Sequence, residues 1–534
     1  MPRAIDSPAE ELTGHRPTAR AWRVAPQACA ADGGQAGAKA KEADHSSSSS
    51  SSSKKKKKKK SKSDSAKAAP PSPLVALEQA QASGATIVSP PVAKLADGAL
   101  FPQFPDMRRD WEALGRPPVF TYELQGGKRR MTIVADRDMF RPIFFPDGKA
   151  LSSNQAALAH HWFGIEKELS MAYTDLGLKN TRKALKQSKA RRMNDTVATG
   201  IMEQFTAFGA EGEVDLMDFA WLTFWPVNAA MFGADAVSPA VCPHIRDELV
   251  RYNANFEAVA NGMPRAMFPE MEVAAQNISK YFGQVIDQGL AEREDCPVLK
   301  ARVDAIDPGD KRWSSADKGR FVMSVFWAAQ ANTIPGTFWA LAMALADPAV
   351  KAKCEAEARG PSFASQPDAD GHFDVKNLPY LDAVVKEMLR LKVANVTHRK
   401  VHRDIGLRAP DGTVFEVPKG DTVTVCSHLQ HMDGATFGEP ERFYPDRWLS
   451  DEKIPPNSFF PFGGGPNTCS GKFLAMQEVT VLLGLFFREF DAELVDSVPE
   501  SDWENVVAMV GPVAGSSCRV RFKRRADRPT TSRL

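Results

Sequence analysis

Cysteine is scarce in this chain of 534 residues: there are seven, at positions 29, 242, 296, 354, 426, 469 and 518, with no CxxC spacing among them. Their odd number leaves at least one thiol single, which argues against a disulfide framework and suits a reducing compartment. Charge of one sign is not in surplus either. With 68 basic against 66 acidic residues, net charge points to neither a nucleic-acid partner nor an acidic substrate. No internal repeat is present, which sets solenoid folds aside. No apolar block follows the first basic residues, so neither a signal peptide nor an amino-terminal membrane anchor is read, and Glu10 and Glu11 weaken a transit-peptide reading. The expected location is cytoplasmic or peripheral to a membrane.

What is present changes in character near Pro90. Upstream lie a serine run (Ser46 to Ser53), a lysine run (Lys54 to Lys60) and the segment PPSP (Pro70 to Pro73), all too polar to offset chain entropy by apolar burial. Residues 1–89 are therefore expected to form a disordered low-complexity tail, and residues 90–534 a single large domain. The lysine run reads as a solvated charge tract, with a nuclear-import, phosphate-binding or nucleic-acid signal as its alternative; no nucleic acid is expected for the domain itself. Within the domain, VFTYEL (Val119 to Leu124) and RRMTIVAD (Arg129 to Asp136) flank Gly126-Gly127 as a β-hairpin. Helical periodicity runs over about Lys179 to Phe208, Cys242 to Val259, Glu270 to Leu290 and Asp317 to Leu345. Strands are expected from Val401 through Thr413 to Ser427 and around Cys518 to Phe522. The fold class is mainly α with small β-sheets.

Charge is absent altogether from Phe321 to Ala346. Hydropathy alone would make this a membrane span, yet Gln330, Asn332, Thr333, Pro335 and Thr337 crowd its centre. A helix buried on every side, with a polar notch facing a site, accounts for both features.

The stretch FFPFGGGPNTCSGKFLAMQEV, Phe459 to Val479, carries a lone cysteine among glycines at the start of a strong helix. Gly463 to Gly465 let the backbone turn, Gly471 permits close approach, and a helix amino end is expected to favour the Cys469 thiolate, which is a metal ligand. The pattern Phe462-x-x-Gly465-x-x-x-Cys469-x-Gly471 resembles the haem-binding loop of the cytochrome P-450 superfamily. The resemblance implies the cytochrome P-450 fold, haem b as cofactor and Cys469 as the iron ligand. It extends to Glu387 and Arg390 in KEMLRL and to PERFYPDRW, where it implies a structural cluster of Glu387, Arg390 and Arg442. Arg399 in THRKVHRD is the propionate candidate, with His398, Lys400 and Arg403 as alternatives. His428, His431 and the pair His160-His161 read as ordinary hydrogen-bonded histidines.

In the superfamily the long central helix carries Ala/Gly-Gly-x-Asp/Glu-Thr over the haem, and here Ala329-Gln330-Ala331-Asn332-Thr333 stands in that place. Thr333 matches; Gln330 replaces the glycine and Asn332 the acid, while Pro335 offers another route to a local distortion. The phrase from Trp327 to Trp339 is similar to the branch of cholesterol 7α-hydroxylase, sterol 12α-hydroxylase and prostacyclin synthase. Pro466 and Asn467 depart from the basic positions common in the loop, and without any Trp-x-x-x-Arg the second propionate anchor is unassigned. The resemblance implies a monooxygenase of a lipid, sterol or fatty acid, with Asn332 and Thr333 catalytic. It also implies a separate reductase docked near Lys472. The alternative is a reductase-independent lipid peroxide isomerase or dehydratase of the prostacyclin synthase or allene oxide synthase type, motivated by Asn332. A haem sensor or lipid carrier is set against Thr333, and oligomeric state is unread.

Overall fold

Helices supply most of the buried surface, and small sheets flank them. The computed structural model describes residues 72–526, apart from 96–101, 125–126, 128, 154, 261, 365–376 and 507. The serine and lysine runs and Gly126 of the expected hairpin turn lie outside the described residues. Those described belong to one compact unit, Pro70–Leu534.

The expected hairpin pairs antiparallel from Val119 opposite Val134 to Leu124 opposite Arg129. It joins a six-stranded sheet that also holds Thr422–Cys426 and Val396–Val401, the strand that carries Arg399. A four-stranded sheet begins earlier in the chain than expected. Leu74–Ala76 runs antiparallel to Ile405–Leu407, and Ile87–Val88 lies parallel to Val414–Phe415. The short apolar runs LVA and IV thus cover the edges of a later hairpin, and Ala80 between them is fully buried. This corrects the boundary at Pro90: residues 74–88 belong to the folded sheet rather than to the tail.

Two helices expected to be continuous are each broken. The first divides into Lys167–Ala184 and Gln187–Phe208, with Lys186 extended between them. The uncharged one divides into Ser315–Gln330 and Thr333–Ala346. Pro335 explains this second break, because it lacks the N–H that would bond the carbonyl of Ala331, and its ring would strike that carbonyl. Within the first turn of the second half-helix the missing N–H costs little. No described helix is long and apolar enough to cross a membrane.

The first half-helix is capped by Ser314, whose hydroxyl accepts from the amide of Asp317 at 3.1 Å. It packs against Pro269–Asp287 at backbone contact distance: a Cβ on Gly319 would lie 1.8 Å from the carbonyl oxygen of Ser279. The second half-helix packs against Lys472–Glu489, a helix buried on all sides after its first turn. Gly319→Ala should therefore force the two helices apart and destabilise the fold by about 1–3 kcal/mol. An unchanged urea-unfolding midpoint in that variant would refute the close packing.

Candidate active site

The cysteine loop is a closed structure. The amide of Cys469 donates to the carbonyl of Phe462 at 2.9 Å, and both the amide and the hydroxyl of Thr468 donate to Gly465. Gly465 takes φ +67°, and a Cβ there would lie 2.1 Å from the Phe144 carbonyl oxygen, so only glycine fits. Gly471 is different. A Cβ on it would meet only Cys469 Sγ, at 3.9 Å, so protein packing does not demand glycine at this position.

The Cys469 thiol is accessible, yet burial pushes its pKa up. Both facts hold if the sulfur opens onto interior space rather than bulk water. The amides of Gly471 and Lys472 bond the sulfur, and Arg182 and Lys472 place positive charge near it; these pull the pKa down. Desolvation outweighs them. The expectation that the helix end alone favours the thiolate is thus corrected: in the protein alone the thiol is favoured, and a bound metal would supply the missing stabilisation.

Arg399 is 4% exposed and donates from one terminal nitrogen to the His398 carbonyl at 2.7 Å. Its Nε and other terminal nitrogen find no acceptor among the described residues. A buried guanidinium with two free donors suits a carboxylate brought in by a ligand. Its neighbour His398 is bonded to Thr424 at 2.8 Å and held near neutral form, its pKa lowered to about 4 by burial and by Arg399. These features and the thiol fit haem: sulfur for the iron, guanidinium for a propionate, and a glycine-walled loop between them.

Glu387 and Arg390 are fully buried and joined by two hydrogen bonds, Nε to Oε2 at 3.0 Å and a terminal nitrogen to Oε1 at 2.8 Å. The third member is Arg447, whose Nε donates to Glu387 Oε1 at 3.0 Å. Arg442, expected in that role, is half exposed and pairs with exposed Glu439 instead; only its backbone carbonyl reaches Arg390, at 3.2 Å. The sequence offers two tandem Pro-acid-Arg-aromatic units, Pro440 to Phe443 and Pro445 to Trp448. The second turns its arginine inward, because the Tyr444 amide and Trp448 Nε1 also bond Glu387, at 3.0 and 2.9 Å.

At the helix break, Asn332 Oδ1 accepts from the Met509 amide at 3.0 Å, tying the central helix to the hairpin strands Ser501–Val506 and Val510–Pro512. Thr333 starts the second half-helix, which packs against the helix of Glu478, a residue the sequence reading passed over and whose pKa burial pushes up to about 8. Gln330 is 2% exposed, and its Nε2 has no partner among the described residues. Thr337 plays a local part, donating to the Thr333 carbonyl at 2.9 Å. An aromatic wall of Trp162, Phe163, Tyr252, Phe256 and Trp327 adjoins the first half-helix, with Phe256 stacked on Trp327 at 4.0 Å. Three of the histidines hold backbone: His160 bonds the Ile165 carbonyl, His161 the Val259 carbonyl, and His431 accepts from the Phe460 amide; His428 instead packs edge-on to Phe104 and Trp503, its Nδ1 without a partner among the described residues.

The cytochrome P450 family model matches residues 245–514, which takes in the central helix, the Glu387 cluster and the cysteine loop. The chain belongs to the cytochrome P450 family, and its cofactor is haem iron. Among curated relatives it is 27% identical over 290 residues to cholesterol 7-alpha-monooxygenase of Cricetulus griseus, covering 50% of this chain and 57% of that protein. It is 24% identical over 427 residues to 24-hydroxycholesterol 7-alpha-hydroxylase of Mus musculus, covering 77% and 86%. It is 35% identical over 204 residues to 7-alpha-hydroxycholest-4-en-3-one 12-alpha-hydroxylase of Homo sapiens, covering 34% and 40%. The chain thus spans little more than half the length of the first relatives it matches.

Removing one partner of the buried cluster strands a desolvated charge. Arg447→Ala should therefore cost about 3–5 kcal/mol of stability, whereas Arg442→Ala should stay within about 0.5 kcal/mol. Equal losses in chemical denaturation would return the cluster to Arg442.

Proposed function

We propose that this protein is a haem-thiolate monooxygenase that inserts one oxygen atom of dioxygen into a sterol or related apolar lipid, with electrons from a separate reductase. The observation that carries the proposal is Cys469, an accessible thiol deep in the protein, bonded by two amides and flanked by cations. The relatives named as sterol hydroxylases support the substrate class. When bound, haem supplies the iron that activates dioxygen.

The chain's own residues divide the remaining work. Cys469 would hold the haem iron through its sulfur, which the Gly471 and Lys472 amides orient. Phe462 and Gly465 hold the loop closed, and Arg399 would receive a propionate on its two free donors. Thr333, at the start of the second half-helix, would move a proton at its Oγ1. Asn332 holds the neighbouring hairpin through Oδ1 and keeps its amide nitrogen for substrate. The aromatic wall gives an apolar ring system a flat surface and keeps out water. The relatives named as sterol hydroxylases favour oxygenation over peroxide isomerisation.

The electron donor's surface is supported by charge. Between Asp175 and Asp195 the chain carries Lys179, Arg182, Lys183, Lys186, Lys189, Arg191 and Arg192 and no acid. This stretch adjoins the cysteine loop, where Ser470 donates to the Leu178 carbonyl at 3.5 Å. An acidic reductase face would be steered there.

Carbon monoxide added to the reduced, haem-loaded protein should give the red-shifted Soret band of a thiolate complex, and Cys469→Ala should abolish it. A normal Soret band in the alanine variant would overturn the assignment. Sterol turnover should require reductase; turnover of a lipid hydroperoxide without reductant would favour the isomerase. Lys183→Glu combined with Lys186→Glu should slow reduction about tenfold at low salt and leave the carbon monoxide spectrum intact.

A further inference from the structure

Two arginines meet where the chain turns after Phe163. A Cβ on Gly164 would strike Nη1 and Nη2 of Arg265 and Nη1 of Arg320, so both guanidinium groups crowd one point. Among the described residues they share a single carboxylate, Glu272, whose Oε2 accepts from Arg265 Nη2 and whose Oε1 accepts from Arg320 Nη2 at 2.7 Å. Burial pushes the Glu272 carboxyl up, but Arg320 and Arg265 outweigh it and hold the group below its ordinary 4.5. Two positive charges against one negative leave a surplus of one. The side chains of Arg265, Arg320 and Glu272 are only 19%, 14% and 26% exposed, so water screens that surplus poorly. Arg265 Nη1 is buried with no acceptor among the described residues, and Arg320 Nη1 spends one of its two N–H groups on the Phe163 carbonyl at 3.1 Å. A donor on each arginine is thus left at one spot, a pattern that a planar carboxylate satisfies.

The pair stands at one end of the aromatic wall. Phe163, one residue before Gly164, packs on Tyr252, Phe256 and Trp327. Arg320 comes seven residues before Trp327 on the helix Ser315–Gln330, about two turns away and on the same face. Twelve residues separate Arg320 from Asn332 at the helix break, which is about 18 Å of helix. A ligand that lies along the wall with its reacting end at the break therefore brings its far end to the arginines.

We propose that Arg265 and Arg320 form a carboxylate subsite, so that the lipid oxidised here carries a carboxylic acid at the end far from its reacting carbon. The inference rests on the oxygenase reading of the site and narrows its substrate class. No covalent bond changes on binding: the acid exchanges water for the free N–H groups of the two arginines while its apolar body lies on the wall. Glu272 holds the guanidinium groups together and reduces their attraction for an incoming anion.

Equilibrium dialysis of the haem-loaded protein against labelled hexadecanoate and against a sterol with a side-chain carboxylate, each beside its methyl ester, tests this without turnover. At least one acid should bind about tenfold or more tighter than its ester. The arm in which it does so tells an acyl chain from a sterol. Arg265→Gln should erase the preference by weakening the acid alone. Glu272→Gln should enlarge it about threefold or more, a gain that a purely structural clamp does not produce. Equal binding of acid and ester in both arms would overturn the proposal, as would equal losses of both in Arg265→Gln or a preference that vanishes in Glu272→Gln. The carbon monoxide spectrum keeps the two readings apart: a wild-type protein without the thiolate band would remove the oxygenase reading, whereas an intact band with no preference for the acid would remove this inference alone.

Discussion

The Glu387 carboxylate is the point from which the cysteine loop is held. It accepts from Arg390, Arg447, Trp448 and the Tyr444 amide, and so satisfies a charge that burial would otherwise make untenable. Arg390 extends the hold by donating to the carbonyls of His431 and Pro440 at 2.8 and 2.7 Å. His431 in turn accepts the Phe460 amide at 3.1 Å, and Asn395 donates to the Pro461 carbonyl at 2.8 Å. The loop that ends in Cys469 therefore descends from an ion cluster through a short relay of backbone bonds, each link fixing the next.

The same physics gives a different outcome wherever no partner is provided. Cys469, Arg399 and Glu478 are all shifted toward their neutral forms by desolvation, unlike the satisfied Glu387 cluster. In the proposed function two of the three would meet a group that brings charge with it, a metal and a propionate. The third, Glu478, has an Oε2 without a partner among the described residues. An interior that is closed around one set of charges and open-ended around another is what a protein built to receive a charged cofactor requires.

Much of this was legible in the residues. The hairpin at Val119 to Val134 and the cysteine loop follow from alternation and glycine placement, and the Glu387–Arg390 pair from the family resemblance. What was not legible depended on direction rather than pattern. Arg442 and Arg447 sit in near-identical tandem units, and only the tertiary path of the chain turns one inward. Glu478 resembles any polar residue on a helix until the helix is seen to be buried on all sides. The runs at Leu74 and Ile87 were placed in the polar tail, because their partners lie more than three hundred residues downstream. Thr337 shared the polar notch in sequence, but its hydroxyl is spent on its own helix.

The divided central helix has one more effect. Two pieces have four ends where one would have two, and a pair of those ends meets at Ala331-Asn332 in the middle of the molecule. The earlier piece brings carbonyl oxygens to the junction, and the later piece brings N–H groups. The centre of the fold is thereby electrically lopsided before any guest arrives, and a molecule with a polar end would be told by backbone dipoles alone which way to lie.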